Sequence, residues 1–125
     1  MPRLLVLADT SVWIDHLRRR DAKLALLLGE DQVVTHSAVI GEVACGNLGA
    51  RRREILDRLQ QLPRMLEATA SESLLFLDRH ELYGTGIGWV DVQLLASAAL
   101  SGARVFTRDR RLAGAATVLE MASAG

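Results

Sequence analysis

The stretch Leu4-Leu5-Val6-Leu7-Ala8-Asp9-Thr10-Ser11 decides how this chain is read. Five apolar residues run without interruption into a carboxylate and two hydroxyls. So short and continuous a run predicts a fully buried strand. Asp9 then sits at the carboxyl end of a core strand, the place where open α/β sheets bind ligands. A charge there needs a hydrogen-bond donor, a cation or water beside it. Taken alone, Asp9 also reads as the cap of the next helix, with Thr10 or Ser11 helping. Acids at three other strand or helix edges change that reading.

Outward from this stretch, strands and helices alternate. A helix is predicted over Ser11–Arg20, with Val12, Trp13 and Leu17 on its apolar stripe. Asp21 caps a second over Ala22–Gly29, and Gln32–Thr35 is a short strand. Ser37 is read as the cap of a third helix, from Ala38 to about Asn47, which carries Glu42 among the small residues Ala38, Cys45 and Gly46. A lone glutamate in mid-helix is usually just exposed. Ala50–Leu62 is amphipathic and stops at Pro63. Met65–Ala68 is read as a strand. A helix follows through Tyr83, with Leu74, Leu75, Leu77 and Leu82 inward. The turn Gly84-Thr85-Gly86-Ile87-Gly88 lacks the dinucleotide-binding spacing and serves as backbone freedom before the next helix. That helix, Val90–Ser101, is nearly all apolar apart from Asp91 and Gln93, which predicts a buried helix. Asp91 lies in its first turn, where the dipole alone would favour an anion. Arg104–Thr107 repeats the opening design, a strand and a hydroxyl leading to Asp109, and Val118–Leu119 adds a last strand. The alternation predicts an α/β fold: one domain over 1–125, with a mostly parallel sheet of four to five short strands flanked by about six to seven helices.

Composition narrows the function. Half of the 125 residues are hydrophobic, which argues against disorder, and the formal net charge is zero, so no whole-molecule field points to nucleic acid. The basic residues are nearly all arginine, Lys23 being the one lysine. They cluster at Arg18-Arg19-Arg20, at Arg51-Arg52-Arg53 and at Arg108 with Arg110-Arg111. Such clusters suit phosphate contacts, or are solvated helix ends with ordinary ion pairs. Cys45 is the only cysteine, which excludes a disulfide or a cysteine zinc site within one chain. Asp9 interrupts the first apolar run too early for a signal-peptide core, and no stretch is long enough to span a membrane. The expectation is a cytoplasmic protein.

Asp9 and Asp109 each follow a strand, while Glu42 and Asp91 each sit on a helix entered from a loop. In a parallel sheet with right-handed crossovers, strand ends and the following helix starts share one edge. All four carboxylates can therefore converge, and like charges brought together repel and raise one another's pKa. A hard divalent cation, magnesium or manganese, resolves this; His16, His36 and His80 show no zinc-ligand spacing.

The ordered set Asp9-Thr10-Ser11-Val12-Trp13-Ile14-Asp15, Gly41-Glu42, Asp91-Val92-Gln93-Leu94-Leu95-Ala96-Ser97-Ala98 and Thr107-Arg108-Asp109 resembles the PIN domain, and within it the VapC-type toxins of bacterial toxin–antitoxin pairs. The likeness covers essentially the whole chain. It implies that Asp9, Glu42, Asp91 and Asp109 are the four acidic positions, and that Ser11 and Thr107 are hydroxyls that orient them. It implies a metal-dependent endoribonuclease that hydrolyses RNA, held silent by a VapB-type antitoxin and usually homodimeric, with no membrane partner. On this reading Asp9, Asp91 and Asp109 hold one or two Mg2+ or Mn2+ ions, and Glu42 is either a further ligand or orients the attacking water. Arg108 and Arg110 flank Asp109 and are candidates to grip a phosphate. Exposed faces near Trp13, Leu48 and Leu56 are candidates for the antitoxin. A non-catalytic PIN-like binding module is the alternative, although such modules lose acids and this chain keeps four. An aspartyl-phosphate enzyme or receiver fits poorly, because Ser11 stands where a haloacid-type phosphatase has its second acid and no lysine lies near the end.

Overall fold

The opening apolar run forms β1 (Val6–Ala8), and all three of its residues are buried. In the computed structural model, which describes residues 4–123, β1 is the middle strand of a parallel sheet, between β2 (Val33–Val34) and β3 (Arg104–Phe106). Val6 pairs with Val33 on one side and Arg104 on the other, and Ala8 lies beside Phe106. A parallel strand covered on both faces needs the unbroken apolar sequence seen here. The chain leaves β1 toward β2 and later returns to its other side as β3. The switch in direction of travel therefore falls between β1 and β3, where ligand crevices form. The ends of the single domain expected over 1–125, residues 1–3 and 124–125, lie outside the described residues.

Seven α-helices surround the sheet among the described residues, within the six to seven expected. They are α1 (Thr10–Arg18), α2 (Ala22–Gly29), α3 (Ser37–Ala44), α4 (Arg52–Gln61), α5 (Ala70–Arg79), α6 (Trp89–Ser101) and α7 (Arg110–Val118). Asp9, Asp21 and Asp109 cap α1, α2 and α7, each accepting a backbone N–H of the first turn. Thr69 and Glu72 form a reciprocal capping box on α5. Gly102, at φ +66°, ends α6 in the left-handed conformation that glycine takes without strain.

Three expectations are corrected. The sheet has three strands among the described residues rather than four to five. Beyond β2 the chain makes a single parallel bridge, Thr35 to Arg64, and beyond β3 another, Val105 to Ala122. Pro63 offers only its carbonyl to Thr35, and the N–H groups of Leu66 and Ala68 go to the Ser101 and Ser97 hydroxyls of α6, so Met65–Ala68 builds no ladder. Val118 and Leu119 belong to the end of α7 and its cap, and pairing starts only after the turn at Glu120. The cap of α3 is His36, whose Nδ1 accepts the Ala38 N–H at 3.0 Å, and Ser37 is already helical. On α5, Leu74 and Leu75 are exposed, because the helix turns Ser73, Phe76 and Leu77 to the core instead. The core itself is centred on Leu7, Leu24, Leu94, Leu95 and Leu112, all fully buried. It fixes both faces of the sheet and leaves its carboxyl edge as the working rim.

Candidate metal centre

Asp9 follows β1 directly and is buried, and its N–H continues the ladder to the Phe106 carbonyl at 3.1 Å. Capping α1 turns its carboxylate across the sheet edge. Oδ1 accepts the Ser11 hydroxyl at 2.6 Å and the Val12 N–H at 3.3 Å. Oδ2 accepts the Thr107 hydroxyl at 2.6 Å. Ser11 Oγ also accepts the Arg108 N–H, and Thr107 Oγ1 accepts the Asp109 N–H, both at 3.0 Å. Ser11 and Thr107 thus splice the end of β1 to the end of β3, and Asp109 is held in place as the cap of α7, accepting Leu112 N–H at 3.0 Å. Glu42 comes from α3 and is exposed; its Oε1 accepts the Thr10 hydroxyl at 3.1 Å.

Asp91, in the first turn of α6, faces the other three. Burial and then the charges of Asp109, Asp9 and Glu42 push its pKa up to about 6. Carboxylates from four separate elements, up to 100 positions apart in sequence, therefore share one electrostatic field. The predicted four are brought together. What the sequence reading missed is Thr10, read there only as a helper to the helix start; its position immediately after Asp9 was the available signal.

The donor set is all oxygen and all anionic. The histidines are used elsewhere: His36 against Ala38 and Ser97, His16 accepting from the Asp21 N–H, His80 against the Phe76 ring. Four converging carboxylates with no ion-paired Lys, Arg or His among the described residues suit a hard divalent cation. Among the described residues no group of three or more His, Cys, Asp or Glu side chains stands close enough together to hold a metal ion. Ser11 and Thr107 each donate to one oxygen of Asp9, and Thr10 donates to one oxygen of Glu42.

A family model, the PIN domain, matches residues 6–118. The chain belongs to the PIN-domain family. It is 46% identical over 112 residues to Ribonuclease VapC32 of Mycobacterium tuberculosis, in two strains, covering 89% of this chain and 90% of that protein. Two crystal structures share its fold. PAE2754 from Pyrobaculum aerophilum matches at TM-score 0.68 and 16% identity, over 91% of this chain and 87% of the other. FitAcB from Neisseria gonorrhoeae matches at TM-score 0.63 and 24% identity, over 90% and 94%.

On the rim of this PIN domain the two expected arginines differ. Arg108 lies over the Phe106 ring, 5.2 Å from its centroid, and its guanidinium pairs with Asp21 and, at 3.6 Å, with Asp15. It ties the β3–α7 connection to α1 and the start of α2. Arg110, in the first turn of α7, is exposed and makes no ion pair among the described residues.

Away from the acids, α1, α2 and α4 of the PIN domain enclose an apolar groove of about 330 Å³ lined by Trp13, Leu17, Leu28, Ile55, Leu59 and Leu62, with Arg51 and Arg58 beside it. Of the three residues expected near an antitoxin face, Trp13 lines this groove. Leu48 and Leu56 pack partly buried against the core. None of the helices among the described residues is long and apolar enough to cross a membrane.

Proposed function

We propose that this chain is a metal-dependent endoribonuclease, the toxin of a toxin–antitoxin pair, acting on RNA phosphodiesters at the edge formed by Asp9, Glu42, Asp91 and Asp109. The observation that carries the reading is the half-buried Asp91, raised to about 6 by its burial and by the other three acids. A site that strains its own carboxylates in this way favours a cation over a proton at neutral pH. The kinship with a protein named as a ribonuclease supports the same reading.

Asp9, Asp91 and Asp109 are the residues to hold Mg2+ or Mn2+, as one or two ions. Bound there, the metal supplies an acidified water and offsets the charge that develops on the phosphate. The chain does the rest. Ser11 and Thr107 take one oxygen each of Asp9 and fix the plane of its carboxylate, and the Val12 N–H also goes to Oδ1, so that Oδ2 is the oxygen left freer for a cation. Glu42, held by Thr10, presents its other oxygen either as a ligand or to orient the attacking water. Arg110 is placed to bind a phosphate of the strand beside Asp109.

The antitoxin's amphipathic segment lies in the groove between α1, α2 and α4, on apolar Trp13, Ile55 and Leu59. A homodimer forms through the exposed leucines of α5 and α6, where Leu75 and Leu100 line one shallow depression. Size-exclusion chromatography of Leu75→Glu checks the second point, and loss of antitoxin co-purification with Ile55→Glu checks the first.

The central test is cleavage of a mixed RNA pool with Mn2+. Asp9→Asn should abolish cleavage and relieve growth arrest while the far-ultraviolet spectrum stays that of the folded chain. Unchanged cleavage by that variant would remove Asp9 from the reaction, and no cleavage by the unaltered chain would leave only the non-catalytic PIN-like module.

A further inference from the structure

Ser11 and Thr107 join the strand ends that carry Asp9 and lead to Asp109, but Glu42 and Asp91 come from helices outside that splice. Apolar side chains pack both helices into the core: Val39, Ile40 and Val43 of α3, and Leu94, Leu95 and Ala98 of α6. Apolar packing is non-directional, so it selects a face without fixing how far one helix slides past another. A directional contact does that, and a buried histidine supplies one. His36, the cap of α3, is 5% exposed. Its Nδ1 accepts the Ala38 N–H at 3.0 Å, and its Nε2 lies 3.1 Å from the Ser97 hydroxyl of α6.

These bonds define the tautomer. A backbone N–H only donates, so Nδ1 carries no proton. The proton of the neutral ring is then on Nε2, which donates to Ser97 Oγ. Ser97 is fully buried, and its Oγ also accepts the Ala68 N–H at 2.9 Å. One nitrogen of the ring therefore caps α3 and the other reaches α6. Burial keeps the ring neutral by lowering its pKa, with Glu67 raising it and Arg64 lowering it. Glu67 stands 3.8 Å from Nδ1, accepts the Ser37 N–H and hydroxyl, and has Arg64 at 4.0 Å.

The link is set back equally from two of the acids. Glu42 follows His36 by six residues, and Asp91 precedes Ser97 by six. Six residues of α-helix rise about 9 Å, and a helix carries a displacement at one point along its whole axis. We propose that His36 is a positioning residue for the nuclease site: through Ser97 it sets the register of α3 against α6, and with it the spacing of Glu42 from Asp91. The proposal rests on the ribonuclease reading and concerns a residue that touches neither cation nor RNA.

Two substitutions in the full chain separate the two nitrogens. The oxygen of His36→Asn replaces Nδ1 and keeps the cap but falls short of Ser97. The amide nitrogen of His36→Gln replaces Nε2 and keeps the reach but loses the cap. His36→Asn should stay folded, bind Mn2+ severalfold more weakly by calorimetric titration, and lower kcat about tenfold with the KM for RNA unchanged. His36→Gln should recover both Mn2+ affinity and kcat while melting at a lower temperature. Ser97→Ala, which leaves the cap intact, should repeat the losses of His36→Asn, and the double variant should lose no more than either single one. Should His36→Asn fail to fold, Ser97→Ala alone decides. If Ser97→Ala binds Mn2+ and cleaves like the unaltered chain, or if the two losses simply add, the positioning role is wrong and the ribonuclease reading stands. If His36→Gln is as impaired as His36→Asn, the link to Ser97 is not what the site needs, and the proposal is equally overturned. If the unaltered chain neither binds Mn2+ nor cleaves RNA, the ribonuclease reading itself fails and takes the proposal with it.

Discussion

The Thr10 hydroxyl donates to Oε1 of Glu42 at 3.1 Å, joining residues 32 positions apart. Thr10 immediately follows Asp9, so the acid at the end of β1 and the acid on α3 are linked through neighbouring residues of one chain turn. The bond is exposed and adds little to folding stability, yet it fixes which oxygen of Glu42 faces the site. A hydrogen bond to a charged group contributes about 1.5 kcal/mol or more where its geometry is used. Thr10→Ala should therefore lower kcat roughly tenfold with little change in melting temperature, and Thr10→Ser should restore it. Single-turnover cleavage rates in Mn2+ check this. A Thr10→Ala rate equal to the unaltered one would show that Glu42 works unaided.

Asp91 links the site to stability through pH. Its folded-state pKa of about 6 lies above the ordinary 3.8, so between those values the folded chain binds more protons than the unfolded one. This group's contribution to stability falls as pH rises through that window, and above pH 6 the four charges strain the fold. A divalent cation relieves the strain by taking the place of the proton. Mn2+ should raise the melting temperature clearly at pH 7.5 and much less at pH 5. Asp91→Asn should stabilise the metal-free chain by ~0.5–2 kcal/mol while abolishing cleavage, since a residue kept for function is released from its cost to the fold. Differential scanning calorimetry with and without Mn2+ at the two pH values decides it.

Two histidines oppose that slope. His36 has its pKa lowered by burial, with Glu67 raising it and Arg64 lowering it; His16 is lowered by burial, with Asp21 raising it and Arg20 lowering it. Both are more easily charged in the unfolded chain, so the stability they support is full above pH 6.5 and declines as pH falls below it. In the native chain Asp91 masks this. In Asp91→Asn the metal-free protein should lose stability on acidification from pH 7 to 5.5. Three carboxyls act only further down, below the usual carboxylate range. The Leu24 N–H holds Asp21 low and the Thr69 N–H holds Glu72 low, while in Glu67 burial pushes upward and the Ser37 hydrogen bonds outweigh it. Urea midpoints across this pH range, with His36→Asn as the variant of shallower slope, provide the measurement.

The sheet edge was legible because its determinants are local. An apolar run ending in Asp9, a second ending in Thr107 and Asp109, and an all-apolar helix opening with Asp91 each announce themselves within a few residues. What was not legible depends on partners far away in sequence. The N–H groups of Leu66 and Ala68 pair with serines of α6, and no local pattern distinguishes that from a strand. His36 caps α3 from a position where Ser37 looked the better cap, because the ring is also held by Ser97 of α6 at 3.1 Å. Thr10 is equally suited to a helix start and to Glu42, and only the packing of α3 against α1 decides. On α5 Leu77 faces the core as expected, while Leu74 and Leu75 face water, because a buried serine, Ser73, sets the phase of the helix.

Arg108 and Arg110 stand on either side of Asp109 and should separate cleanly. Arg108 joins Asp21, whose side chain is only 11% exposed, and covers the Phe106 ring, so it holds the β3–α7 connection onto α1 and α2. Its removal leaves a largely buried carboxylate with the Leu24 N–H as its one remaining hydrogen bond among the described residues, at a cost of about 1–2 kcal/mol after allowing for the exposure of Arg108. Arg108→Ala should lower the melting temperature by several degrees, and any loss of cleavage should follow the loss of folded protein. Arg110 is exposed and makes no ion pair among the described residues, so Arg110→Ala should leave stability within ~0.5 kcal/mol of the unaltered chain. It should instead weaken binding of single-stranded RNA severalfold. The slope of log affinity against log salt should become shallower by about 0.7, the value for one phosphate left without its cation on a single strand. Fluorescence titrations at several salt concentrations, beside thermal melts of both variants, distinguish the two roles; an unchanged salt slope in Arg110→Ala would remove that side chain from the RNA path.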